Sequence, residues 1–151
     1  MSQRIAAFFD LDQTLLRVNS GSRWMAFLRQ RGEVGPAAML RSAYWLAKYK
    51  LSILDGETLA TRLVSDLAGE PEPEMRTKAT LFWESEVRPA LSDAGVAVLN
   101  QHREQTHLLA LLTSTTQYVA EPVAEHLDVS HILCTRLHVE GGQFLGTCER
   151  P

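Results

Sequence analysis

Five consecutive apolar residues, Ile5-Ala6-Ala7-Phe8-Phe9, run directly into Asp10-Leu11-Asp12-Gln13-Thr14. An unbroken apolar stretch of this length, bounded by polar residues, suits a strand in a sheet covered on both faces. In open α/β sheets, ligands bind just beyond the carboxyl ends of the strands. Two carboxylates, a hydroxyl and free backbone amides therefore fall where a substrate would sit. One carboxylate can attack as a nucleophile while the other works as general acid and base. Taken alone, the same residues also describe a strand followed by an acidic turn, so the rest of the chain has to decide.

Residues 4–9 read as a first strand and 10–19 as a loop. Ser20 or Ser22 then caps a helix to Gln30, with Gly32 as its stop and Trp24, Phe27 and Leu28 on one face. Pro36 opens a helix to about Lys50. Ser52 or Asp55 opens another, with Leu59, Leu63 and Leu67 spaced four apart and a stop near Gly69. A fourth runs from Pro71 to Val87, carries Met75, Ala79, Phe82 and Trp83 along one side, and is ended by Pro89. Ser92 caps a helix that turns Val96, Leu99 and His102 inward, and His107 to Thr113 is a second buried strand. A helix from Thr115 or Thr116 reaches His126, and His131 to Cys134 is a third strand. Leu137-His138-Val139 and Phe144-Leu145-Gly146 form a hairpin around Gly141-Gly142. A strand, about seventy helical residues and then helix-strand-helix-strand imply an α/β fold with a parallel sheet and a large helical insertion.

Leu112-Thr113-Ser114-Thr115-Thr116 forms a second constellation, at the end of the second strand. Hydroxyls and unpaired amides at a helix N-terminus favour anions, although an ordinary Thr cap has the same residues. The strand carrying them should lie beside the strand carrying Asp10. Two such ends converging favour a phosphate pocket more than either motif does alone.

The 151 residues, 45% hydrophobic and 22% charged, allow one core or a small core with an inserted module. A net charge of -3 offers no basic field for nucleic acid. Arg41, Lys48 and Lys50 interrupt the most apolar helix, which argues against a membrane span. Cys134 and Cys148 lack a CxxC arrangement, and no signal-peptide pattern precedes the first strand, so reduced thiols and a cytoplasmic location are expected. His102, His107, His126, His131 and His138 show no ligand spacing for a transition metal.

Asp10-x-Asp12-x-Thr14 after a hydrophobic strand, Thr113 at the end of the second, and the runs 118–127, 133–137 and 141–146 together resemble the haloacid dehalogenase-like (HAD) phosphohydrolases. Within that superfamily the chain is similar to the phosphoserine-phosphatase-like branch, subfamily IB. The resemblance implies a Rossmann-like core from residues 1–16 and 89–151, with a helical cap inserted at 17–88 that excludes water and selects substrate. It implies a Mg²⁺-dependent phosphomonoester hydrolase acting on a small phosphorylated metabolite. Asp10 would attack phosphorus to give an aspartyl-phosphate, and Asp12 would protonate the leaving alkoxide and then activate water. Mg²⁺ would be held by the Asp10 carboxylate and the Asp12 carbonyl, and Thr113 and the Ser114 amide would hold phosphoryl oxygens. Gln13 stands where a Gly is often found. Asn19 stands where phosphoserine phosphatases tend to carry a Glu that pairs with the substrate amine, which makes phosphoserine less expected here.

The family also uses a Lys and a Gly-Asp-x-x-x-Asp-type strand end after the hairpin. No Lys follows Thr113, and Glu121, Glu125, Asp128, Glu140 and Glu149 lack paired strand-end spacing. Nothing in the sequence positions Arg136 or Arg150 to substitute for the Lys. The expectation is a truncated version of a longer enzyme, or a piece that needs a partner. One edge of the first strand would be unpaired and one sheet flank uncovered, inviting self-association. Two other readings stay open: an impaired fragment that acts as a binding module, and a phosphotransferase that passes the phosphoryl group to an alcohol.

Overall fold

The computed structural model describes residues 5–35, 37, 40, 44, 47, 48 and 56–151. The helix expected from Pro36 to Lys50 and the helix start expected at Ser52 or Asp55 fall largely outside them. Among the described residues, four strands form one sheet in the order β1 (Ala6–Phe9), β2 (Leu108–Thr116), β3 (His131–Glu140) and β4 (Gln143–Glu149). β1 pairs parallel with β2, β2 parallel with β3, and β3 antiparallel with β4. The mostly parallel α/β architecture is the one the alternating pattern implies.

Alternation within the strands sorts their residues between two faces. Ala7, Phe9, Leu111 and Cys134 are buried in one core cluster with Leu99 of α4 (Asp93–Glu104) and with Ala120, Val123 and Ala124 of α5 (Gln117–His126). Phe8, Leu108, Leu112 and Leu133 belong to the other face and stay exposed, Phe8 by 59% and Leu133 by 43%. The first strand is thus covered on one face, not on two as its apolar run suggests. Both helices that flank β2 in sequence serve the same side of the sheet. β1 is also an edge strand.

Three described helices lie between β1 and α4: α1 (Ser20–Gln30), α2 (Gly56–Ser65) and α3 (Glu72–Phe82). The cap of α1 is Asn19, whose side chain accepts from the Ser22 amide at 2.9 Å, and neither expected serine fills that place. Trp24 and Phe27 of α1 meet Phe82 of α3 at ring separations of 5.0 and 5.3 Å. After Phe82 the chain does not continue as one regular helix to Val87. It widens into a π turn, Trp83–Val87, and tightens into a 3₁₀ turn, Arg88–Ala90. Pro89 has no amide to donate, so the 3₁₀ turn that holds it lacks one helical bond, while Arg88 before it keeps right-handed helical angles.

On α2, Leu63 is exposed, whereas Val64 and the following Leu67 pack with Ala79, Tyr118, Leu137 and Phe144. Leu67 of the expected line is inward, whereas a rotation of α2 turns Leu63 out and brings Val64 in. Docking on β4 sets that rotation: a Cβ at Gly146 would come within 2.9 Å of Ala68 Cβ and 3.3 Å of the Ser65 carbonyl. The following residues add a short backbone pairing. Gly69 N donates to the Phe144 carbonyl at 2.9 Å, Phe144 N to the Glu70 carbonyl at 3.0 Å, and Glu72 N to the Gly142 carbonyl at 2.9 Å. These bonds occupy part of the outer edge of β4, a common way of protecting an edge strand.

Tyr118 fastens α3 to α5. Its hydroxyl donates to Glu72 Oε1 at 3.0 Å, and Arg76 ion-pairs with the same carboxylate. Burial first, and then the bond to Glu72, push the phenol from its ordinary 10.0 up to about 12. The folded state keeps the proton that the unfolded state loses near pH 10. Stability from this group is therefore complete below pH 10 and is lost as pH rises from 10 to about 12. Chemical unfolding at stepped pH should show that decline, and Tyr118→Phe should flatten it.

Candidate active site

Phe9 pairs with Leu111, so Asp10 and Leu11, leaving β1, come level with Leu112 and Thr113 of β2 at the same end of the sheet. There the chain folds into a tight turn. Thr14 N and Leu16 N donate to the Leu11 carbonyl at 3.2 and 2.8 Å, and Leu15 N reaches the Asp10 carbonyl at 3.4 Å. Leu11, Leu15 and Leu16 are fully buried, anchoring the turn's apolar side in the core. Asp10 is exposed and Asp12 half-buried on the remaining side. Gln13 takes the left-handed conformation, φ 59°, which costs a residue with a Cβ more than it would cost glycine.

Asp10 Oδ1 accepts from the Leu11 amide at 2.7 Å. Asp12 is held at both oxygens: Oδ1 accepts from the Ser20 amide and Oδ2 from Asn19 Nδ2, each at 2.9 Å. The first turn of α1 is thus aimed at this carboxylate, where the helix dipole favours negative charge.

The second strand runs three residues past Thr113, its expected end, and the helix is entered at Thr116, one of its two expected starts. β2 continues through Thr116, which is the N-cap of α5 without a side-chain cap bond. β-Branched threonines suit a strand. Between the pairings Leu112↔Leu133 and Thr116↔Thr135, β2 spends two more residues than β3. The resulting bulge is built from Thr113, Ser114 and Thr115. Bulges of this kind re-aim side chains and recur beside active sites. Thr135 Oγ1 donates to the Ser114 carbonyl at 2.8 Å, and buried Thr113 accepts the Thr115 amide on Oγ1 at 3.2 Å.

Ser20 and Thr115, neither singled out from the sequence for this role, join the two halves. Ser20 is buried, and its hydroxyl lies 3.3 Å from Thr115 Oγ1. One hydrogen-bonded path therefore runs from Asp12 through Ser20 and Thr115 to Thr113. In the sequence only the polar triplet Asn19-Ser20-Gly21 hints at it. The cationic side chains considered as substitutes are engaged elsewhere: Arg136 pairs with Glu121 at 2.8 Å, and Arg150 donates to Thr61 at 2.9 Å.

α4 packs directly on the turn backbone. A Cβ on Gly95 would lie 2.7 Å from the Thr14 carbonyl oxygen and 3.3 Å from Leu15 Cα. Gly95→Ala should therefore displace the turn and lower stability by about 1–3 kcal/mol. A urea titration checks the loss, and amide chemical shifts of residues 10–16 should report the displacement.

No group of three or more His, Cys, Asp or Glu side chains with metal-binding geometry occurs among the described residues. What Asp10 and Asp12 offer is carboxylate and carbonyl oxygen alone. Such a sparse oxygen set suits a hard cation that keeps most of its water, as Mg²⁺ does, and does not suit zinc. None of the described helices is long and apolar enough to cross a membrane.

A family model for haloacid dehalogenase-like hydrolases matches residues 7–151. The chain belongs to this family. Among curated relatives, a probable phosphatase of Mycobacterium tuberculosis is 25% identical over 146 residues, covering 95% of this chain and 51% of that protein. The chain thus spans about half the length of that curated relative. A Bordetella pertussis protein of unknown function shares 30% identity, with a TM-score of 0.87 over 99% of this chain and 67% of its own. A phosphoserine phosphatase solved as a phospho-aspartyl intermediate analogue superposes with a TM-score of 0.66 at 13% identity, covering 99% and 64%. At that identity the likeness concerns the fold alone.

Proposed function

We propose that this HAD chain hydrolyses phosphate monoesters of small metabolites through a phosphorylated Asp10, with Mg²⁺ as cofactor. The observation that carries the reading is the turn. With Leu11, Leu15 and Leu16 in the core, Asp10 and Asp12 emerge at the strand end beside Thr113 and Ser114. The relative named a probable phosphatase supports hydrolysis of a phosphate ester.

In this mechanism Asp10 attacks phosphorus, and the bond from phosphorus to the ester oxygen breaks. Asp12 gives its proton to the leaving alkoxide. It then takes a proton from water, which attacks the acyl phosphate and frees Asp10. Thr113 and the Ser114 amide hold phosphoryl oxygens. The Asp10 carboxylate and the Asp12 carbonyl would hold Mg²⁺, which offsets the repulsion between a phosphate dianion and a carboxylate.

The proposal divides the chain into a core, 1–16 and 89–151, and a helical cap, 17–88. The two crossings lie side by side, which supports the division. Arg17 N donates to the Ala90 carbonyl at 2.8 Å, Arg17 Nη2 to the Pro89 carbonyl at 2.7 Å, and Leu16 bridges Leu91.

Hydrolysis of p-nitrophenyl phosphate tests the function. Phosphate release should require Mg²⁺ and stop with a chelator. Equal turnover in the chelator, or none with Mg²⁺, would refute the assignment. The apolar face carrying Phe8 and Leu108 beside the open β1 edge should also drive association of the free chain. Light scattering across a dilution series should show it, and Phe8→Lys with Leu108→Lys should abolish it.

A further inference from the structure

We infer that Asn19 is a positioning residue for Asp12 and not a reader of the substrate. The inference rests on the proposed role of Asp12 as general acid and base, and deepens it. The two ends of the Asn19 amide do different work. Oδ1 accepts the Ser22 amide at 2.9 Å, which caps α1, while Nδ2 donates to Asp12 Oδ2 at 2.9 Å. The assignment of the two ends follows from chemistry. A backbone N–H requires the oxygen, so the nitrogen must face the carboxylate.

Asp12 thereby receives one donor on each oxygen, from adjacent residues: the Ser20 amide on Oδ1 and Asn19 on Oδ2. Two fixed donors on opposite oxygens restrict rotation of the carboxylate. Each oxygen keeps a lone pair to exchange a proton. Proton transfer depends on placement within hydrogen-bond reach, so loss of one donor should slow the chemical step more than binding. Ser20 extends the restraint to the other half of the site, through its 3.3 Å approach to Thr115.

A cap and a positioning residue respond oppositely to substitution. Asp and Ser cap a helix as well as Asn does, and Ala does not. Asp, however, places a second carboxylate against Asp12, and Ser lacks the reach and the amide donor. Asn19→Asp, Asn19→Ser and Asn19→Ala are therefore compared in the full chain. All three should lower kcat for p-nitrophenyl phosphate by about 10- to 100-fold with KM little changed. Asn19→Asp should fall furthest, and Asn19→Ser should keep the thermal stability that Asn19→Ala loses. Wild-type kcat in Asn19→Asp or Asn19→Ser would make Asn19 a cap alone and overturn the inference.

A second readout is independent of turnover. In ¹⁵N-labelled protein the Asn19 side-chain amide protons should resonate downfield and exchange slowly, because one of them is donated to Asp12 Oδ2, and Asp12→Ala should move them to the positions of a free amide. An Asn19 amide blind to Asp12 would overturn the positioning role even in an active protein. A coupled amide in a chain that hydrolyses no phosphate ester would leave the geometry standing and refute the hydrolase reading instead.

Discussion

Asp10→Asn should lower p-nitrophenyl phosphate turnover by about 10³-fold or more, because the substitution removes the nucleophile and weakens the carboxylate's proposed hold on Mg²⁺. The amide oxygen of Asn can still accept the Leu11 amide that Asp10 Oδ1 accepts at 2.7 Å. Asp10 is exposed, and the turn is anchored by Leu11, Leu15 and Leu16, so folding should survive. A melting curve matching wild type beside the lost turnover would separate chemistry from stability. If Asp10→Asn retained even a tenth of the rate, attack by this carboxylate would be untenable.

Phe82→Ala should cost about 3–5 kcal/mol, the usual range for truncating a buried aromatic. Phe82 is 1% exposed. Its ring stands edge-on to Trp24 at 5.0 Å and tilted against Phe27 at 5.3 Å. Those two rings belong to α1, which also supplies Ser20 to the site, so the aromatic cluster braces the helix that restrains Asp12. Urea unfolding followed by tryptophan fluorescence measures the loss. A change below about 1 kcal/mol would mean that α3 does not depend on this contact.

The first strand and its two acids were legible because the cue is local: an apolar run ending in paired carboxylates. Ser92 was legible for the same reason, and its side chain does cap α4 by accepting the Gly95 amide at 3.2 Å. So was the hairpin turn, where Gly141 and Gly142 both take positive φ, as a two-residue hairpin requires. Competing local chemistries hid other boundaries. Asn19, Ser20 and Ser22 are all good caps, and only the geometry of chain entry selects the first. Thr113 to Thr116 suit both a strand end and a cap, and pairing with β3 carries the strand as far as Thr116, which is also the N-cap of α5.

β3 read as a short strand and a separate hairpin arm because Thr135-Arg136 interrupts its apolar run. The structure keeps one strand by giving each a partner: Thr135 bonds the Ser114 carbonyl and Arg136 pairs with Glu121. The buried Gln117 helps where pairing with β2 ends. Its side chain bonds both the amide and the carbonyl of Leu137, at 2.9 and 3.2 Å. The approach of Ser20 to Thr115 was invisible for a simpler reason. Ser20 belongs to neither constellation, and the two residues lie 95 positions apart.

The decisive measurement is mass spectrometry of the peptide carrying Asp10 after acid quench during turnover of p-nitrophenyl phosphate with Mg²⁺. One added phosphoryl group on Asp10, labile to hydroxylamine and missing from Asp10→Asn, is the expected result. Turnover with that peptide unmodified at every quench time, or with the phosphoryl group on another residue, would contradict it.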